Sequence, residues 1–333
     1  MPNKIMMRKY ASLLLFALIL NGCDDGDITV NQIDFEDVPE AQTCTVENLL
    51  VYKLKTQESL LLQVPENTFE EDATPDGIPD QHNIDNSSYR LVYRGYDGTI
   101  AGTYICSLIP PTSPKVIDEW FAKSGVIEIT TTQTVTTPDA NNATTISGYN
   151  HNITIKNVTY SVSGVDVTVP EIKFGDFKTK LETTLDLKFD ETAAQCSTSG
   201  QIYNFIVSGA AITIDDIDAN LIQNSATPLN QPRVAVISST KNKLLYRVFN
   251  STLTEDYFCK SPVPSTPSIK ETWAGADGVA NQSGYIEVTT TGDGPNAFKH
   301  TVVLKNVKLT KGNSSFQLGN TFAIGSFSTQ VAN

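Results

Sequence analysis

The side chains that could carry chemistry are few, and they recur in pairs. The chain has three histidines, His82, His151 and His300, and five cysteines, Cys23, Cys44, Cys106, Cys196 and Cys259. Nucleophilic hydrolysis needs a Ser or Cys beside a His that an acid orients. No Gly-x-Ser-x-Gly turn occurs, and His151 and His300 open two similar segments, HNITIKNV (151–158) and HTVVLKNV (300–307). A duplicated enzyme needs one site, so matched strand-edge histidines read as structure rather than catalysis. Glu128 and Glu287 each stand before a run of threonines. They offer either a polar recognition strip or the solvated face common in antiparallel sheets. Paired catalytic carboxylates would require a second acid in the same cleft.

The sharpest local pattern is DATPDGIPDQHN, residues 72–83. It resembles the Asp/Gly calcium loops of EF-hands and thrombospondin type 3 repeats, where oxygen ligands alternate along the chain and Gly makes the bend. The resemblance implies Ca²⁺ held by Asp72, Thr74, Asp76, the Ile78 carbonyl, Asp80 and Asn83, with Gly77 at the turn. Thr74 stands where an acid is usual, and Asn83 cannot supply a bidentate carboxylate. A second segment aligned with this one carries Leu229, Asn230 and Arg233 in place of Asp76, Gly77 and Asp80. A variable acidic loop is the other reading.

The N-terminus reads as an export leader. Lys4, Arg8 and Lys9 precede the apolar run from Ala11 to Leu20. Ten helical residues span about 15 Å, half a bilayer core, so the run is too short to cross. Leu20-Asn21-Gly22-Cys23 resembles the lipobox of bacterial lipoproteins, with Asn21 where Ala, Ser or Thr is usual. The resemblance implies cleavage before Cys23 and acylation of that residue, which would tether the protein stably to a lipid bilayer. Asp24-Asp25-Gly26-Asp27 resembles the surface-export signal of Bacteroidota lipoproteins. The expected location is therefore the bacterial outer membrane, facing outward. Loss of three basic and no acidic residues with the leader would take the formal charge from −13 to −16. That balance argues against a nucleic acid partner, which needs clustered Lys and Arg.

Behind the leader the chain looks like one unit written twice. At an offset of 153, Tyr93-Arg94, Cys106, Trp120, Pro111 and Pro114 face Tyr246-Arg247, Cys259, Trp273, Pro264 and Pro267. Ala73-Thr74-Pro75 likewise faces Ala226-Thr227-Pro228, and Gly125 to Thr132 faces Gly284 to Thr291 after a register shift. The expected organisation is a signal peptide (1–22), an acidic tether (23–32), a first β domain (33–180), a linker (181–193) and a second β domain (194–333). Cys44 and Cys106 are 62 residues apart, Cys196 and Cys259 are 63. In an exported chain this predicts one disulfide within each repeat. A cross-repeat pairing would leave the matched spacing to coincidence, and no Cys-x-x-Cys supports a metal site.

Within each repeat the hydrophobic period is two: Ile127, Ile129 and Thr131 point one way, Glu128, Thr130 and Thr132 the other. Gly and Pro punctuate short segments, which predicts an all-β fold of two tandem antiparallel β-sandwich or barrel-like domains. Only residues 116–123 look weakly helical, and Trp120 and Trp273 read as core or corner plugs rather than ligand platforms. Seven Asn-x-Ser/Thr sites, at Asn86, Asn142, Asn152, Asn157, Asn250, Asn281 and Asn313, follow from an Asn- and Thr-rich composition in a bacterial lipoprotein. The functional expectation is a non-enzymatic, surface-tethered binding or adhesion protein for a glycan or protein ligand. An accessory subunit of an outer-membrane transport or secretion complex and a hydrolase with an unrecognised site are the alternatives. An oversized apolar patch would mark the first, and converging acids the second.

Overall fold

A computed structural model describes residues 33–38, 40–44, 49–162 and 164–331. The leader, the lipobox with Cys23 and the acidic tetrapeptide lie outside the described residues. Phe35–Asn333 forms one compact unit, nearly all β, and every pairing between its strands is antiparallel.

The first half contributes β1 (Gln42–Thr43), β2 (Leu49–Leu54), β3 (Glu58–Val64), β4 (Asp80–Asn83), β5 (Arg90–Tyr96), β6 (Val116–Val135), β7 (Ile146–Val162) and β8 (Val165–Lys180). They form one curled sheet in the order β1-β2-β3-β5-β6-β7-β8, with β4 added beside β6. Strand β6 changes neighbours along its length, pairing with β5 near Trp120 and with β4 near Ile127. Bulges between Ala122 and Val126 bend it at that change. The segment 116–123, expected to be weakly helical, is thus extended, because its backbone pairs with β5 as far as Phe121 and with β7 from Ala122 onward. A helical turn, Gly102–Ile105, lies instead just before Cys106.

The second half contributes β9 (Ala194–Gln195), β10 (Ile202–Ile206), β11 (Ala210–Asp215), β12 (Arg233–Val236), β13 (Lys243–Phe249), β14 (Ile269–Gly275), β15 (Tyr285–Gly292), β16 (Ala297–Lys305), β17 (Lys308–Lys311), β18 (Ser314–Gln317) and β19 (Thr321–Gln330). Here there are two sheets, β18-β17-β14-β13-β11-β10-β9 and β12-β15-β16-β19. Joining β14 to β15, β16 to β17 and β18 to β19 end to end would reproduce the strand order of the first half.

Alternation buries one face of each curled sheet: Ile127, Ile129, Ile153 and Ile155 in the first half, and Ile286, Val288, Val302 and Leu304 in the second. Trp273 is fully buried among the latter, whereas Trp120 is only half-buried. On the opposite face each half builds a smaller apolar cluster around its disulfide. Cys44–Cys106 packs with Tyr52, Leu61 and Val92, and Cys196–Cys259 closes over Tyr203, Ala211, Phe249 and Phe258. Both predicted pairings are present, with Cα atoms 5.3 and 5.1 Å apart.

The stretch 181–193, read above as a linker, lies on the core of the second half through Leu181, Leu185, Leu187 and Phe189. The Asn204 amide donates to the carbonyls of Asp190 and Ile324, pinning this strap. Lys53, at the same strand position in the first half, donates through Nζ to the Phe35 carbonyl at 2.8 Å. Short parallel bridges join Glu40 to Asp176 in the first half and Thr192 to Ser326 in the second. Among the described residues no helix is long and apolar enough to cross a membrane.

Candidate functional site

Histidine is the side chain whose ordinary pKa lies nearest neutrality, which makes His151 and His300 natural candidates for a base. His151 lies in β7, flanked by β6 and β8, and His300 lies in β16, flanked by β15 and β19. Both are central in their sheets, not at an edge as the sequence had suggested. Nδ1 of His151 is 2.9 Å from Thr131 Oγ1, and Nε2 is 3.0 Å from Thr179 Oγ1. His300 repeats this with Thr290 at 2.9 Å and Thr329 at 2.8 Å. Each imidazole therefore bridges three adjacent strands through hydroxyls. Both rings are fully buried, and Phe69 and Phe177 cover the first. Burial lowers the pKa of His151 to about 4, and lowers that of His300, where the Arg233 charge adds to the effect. With both nitrogens engaged and water excluded, the rings hold strands together and offer no base to a substrate.

The acidic loop is dispersed by the fold. Asp72 accepts from the amide of Ala73, the amide of Asn313 and the hydroxyl of Ser314. Its carboxylate thus fastens the loop to the β17–β18 turn of the second half. Thr74 pairs with the backbone of Thr131. Asp76 is exposed, and Ile78 is turned outward in a tight bend where Gly77 takes φ 74°. Asp80 and Asn83 sit in β4, opposite Ile129 and Val126. Among the described residues no group of three or more His, Cys, Asp or Glu side chains gathers around a point where a metal could sit. Glu128 accepts from Gln81 at 2.9 Å, and Glu287 lies 3.9 Å from Lys305, so both belong to half-buried polar faces.

Sequence reasoning missed a cleft beside the second disulfide. A cavity of about 520 Å³ lies there, within the size range of small-ligand sites. Its floor comes from Thr213 and Asp215 on β11, Arg247 on β13, and Gln201 just before β10. Its walls come from Tyr257, Phe258 and the loop from Cys259 to Val263, with Ile269 at the rim. Asp215 accepts from Gln201 Nε2 at 2.7 Å. Arg247 makes longer contacts, 3.4 Å to Thr213 Oγ1 and 3.9 Å to Asp215. Tyr203 stacks on Phe258 with ring centroids 4.2 Å apart, which stiffens the wall behind the disulfide.

The corresponding face of the first half is lined differently. Leu50, Leu61 and Gln63 occupy the register positions of Gln201, Thr213 and Asp215, and Arg94 is taken up by Glu119 at 2.7 Å. Opposite Arg247 the strand carries Thr272 instead of an acid. Only a comparison of the two aligned halves, residue by residue on this one face, could have exposed that difference from sequence.

Comparison with protein-family models, with curated proteins and with solved structures finds no match for this chain, so the cleft and the two halves must be interpreted from their own chemistry.

Proposed function

We propose that this chain is a non-enzymatic, lipid-anchored binding protein of a bacterial outer membrane, facing the cell exterior. The observation that carries the reading is the pairing of a lipobox-like export leader with two disulfides, each closed within its own half. Disulfides persist where the compartment is oxidising, and a triacylated Cys23 would hold the body at a bilayer surface. Binding rather than catalysis is favoured by the sealed environments of His151 and His300, which withhold the chain's buried imidazoles from any substrate.

The experiment is metabolic labelling with a radioactive fatty acid in a bacterial host, followed by protease treatment of intact cells. The wild-type chain should take up label and lose its body to external protease, and Cys23→Ser should be unlabelled. An unlabelled wild-type chain would remove the anchor. A labelled chain that protease cannot reach would place it on the inner side.

A second reading, docking to a protein partner in an outer-membrane complex, is favoured by Leu108 and Ile109. These are 91% and 83% exposed in the loop that follows Cys106. Isolated exposed apolar residues are common, but two in succession on a disulfide-braced loop suit an anchor contact. Replacing both with Ser should then release a co-purifying partner from detergent extracts, and an unchanged partner set would end this reading.

A further inference from the structure

We infer that the cleft beside Cys196–Cys259 binds an acidic saccharide, with Arg247 receiving the carboxylate of a uronate ring. The inference builds on the proposal that the protein is an exported binder, and it names the ligand class of that binder.

Arg247 is partnered differently from its counterpart in the first half. In the first half the register-equivalent Arg94 is satisfied by Glu119 directly opposite it on the neighbouring strand. In the second half that position is Thr272, and among the described residues the Arg247 guanidinium makes only the two long contacts given above. Its side chain is 23% exposed and lines the cavity. A half-buried guanidinium with donors to spare prefers a planar, bidentate oxygen acceptor.

Charge selects an anion. The ionised groups lining the cleft are Arg247, Lys260 and Asp215, a net of one positive charge. This lies on a chain whose overall formal charge is −13. One carboxylate brings the cleft to neutrality. Asp215 is held by Gln201, so it can remain as an acceptor for a ligand hydroxyl while Arg247 turns to the incoming acid.

The remaining lining suits a sugar ring. Thr213, Gln201 and Asp215 supply mixed donors and acceptors across the floor, as a set of ring hydroxyls requires. Val263 and Ile269, 67% and 46% exposed, give an apolar rim against which the C–H face of a pyranose can pack. A peptide strand is the poorer fit. The floor lies on β11 and β13, inside the sheet order, and offers no free strand edge for backbone pairing.

The test uses the full chain purified in detergent, with isothermal titration against trimers of galacturonate, glucuronate and mannuronate. Carboxyl-reduced, neutral forms of the same trimers are the comparison. At least one acidic trimer should bind, and its neutral form should bind at least tenfold more weakly. Arg247→Gln should weaken the acidic trimer at least tenfold. Thr272→Glu, an exposed position that would rebuild the first half's Arg–Glu pair, should do the same without lowering the melting temperature. Arg94→Gln should leave binding unchanged. Failure of all three acidic trimers, equal affinity for acidic and neutral forms, or insensitivity to Arg247→Gln would overturn the inference. The intact mass of the same preparation reports acylation at Cys23, so loss of the anchor reading and loss of the ligand reading are seen separately.

Discussion

His151 and His300 show what an imidazole does when it is removed from water. A neutral ring has one donor and one acceptor. At His151 the two threonine hydroxyls can rotate to complement either tautomer. At His300 Thr329 gives its proton to Asn224, so it accepts from Nε2–H and Thr290 donates to Nδ1. Protonation would leave both ring nitrogens donating to hydroxyl oxygens but would place a charge out of reach of water, and this couples the pins to pH. Unfolding returns His151 to an ordinary pKa near 6.5, whereas the folded value is about 4. Between those values the unfolded chain binds the extra proton, so the histidine's contribution is complete above pH 6.5 and is lost as pH falls toward 4. For a shift of that size the loss is on the order of 3 kcal/mol for His151. His300 shifts in the same direction. Urea midpoints measured from pH 7 to pH 4 should fall for the wild-type chain. The slope should flatten in His151→Gln, whose side chain still donates and accepts but does not titrate in this window. An equal slope in both would remove His151 as the source and assign the pH dependence to His300 and the carboxylates instead.

At the scale of elements, the period-two pattern made the strands legible, and the matched cysteine spacing made the disulfides legible. Other features depended on partners that local sequence does not name. Residues 116–123 carry exposed apolar and charged side chains in an order that suits a weak helix. They become strand because β5 pairs with them as far as Phe121 and β7 takes over at Ala122. The break that divides the second half into two sheets lies in the spacing: Gly125 follows Trp120 by five residues, but Gly284 follows Trp273 by eleven. The extra residues leave the sheet as a loop closed at Gly278, where a Cβ would come within 2.0 Å of the Gly284 carbonyl oxygen. Asparagine richness also has a local cause. Asn86, Asn142, Asn157 and Asn281 all take φ between 51° and 60°, a region Asn tolerates better than most residues. The cleft was illegible because it consists of a missing acid, Thr272 in place of Glu, beside polar residues that are unremarkable one at a time. The disulfides brace the face on which it lies. Replacing Cys44 and Cys106 together by Ala should cost about 4 kcal/mol in the chain-entropy model for loops of this length. The pair Cys196 and Cys259 should cost about the same, and should additionally loosen the cleft wall. Denaturant midpoints of the two double variants check this, and a loss below 1 kcal/mol in either would mean that its loop stays ordered in the unfolded chain.

For the whole molecule the question is whether two similar halves behave as two domains or as one body. The contacts at their seam favour one. Asp72 grips the β17–β18 turn, and the Gln133 side chain both donates to and accepts from the Ser315 backbone. Asn141 donates to the Thr321 carbonyl and accepts the Thr321 amide, and Tyr149 from the first half is buried in the second half's core and donates to Ser314. Two glycines let the chains approach. A Cβ on Gly312 would fall 1.8 Å from the Asp72 carboxylate, and one on Gly319 would fall 2.3 Å from the Asn141 amide nitrogen. Both also have positive φ, 53° and 105°. Hydrogen bonds of this kind are worth about 1 kcal/mol each and more when one partner is charged, so the seam rivals the stability of a modest domain. The wild-type chain should therefore melt in a single calorimetric transition whose calorimetric and van't Hoff enthalpies agree. Combining Gly312→Ala with Asn141→Ala removes a fastener at each end of the seam. It should split the transition in two and raise amide exchange jointly in residues 133–145 and 311–321, while the His151 and His300 pins keep their protection. A single transition in that variant, with exchange raised on one side only, would mean that the halves cohere through their apolar contacts and not through these polar fasteners. Two transitions already present in the wild type would mean that the halves fold separately and that the seam merely aligns them.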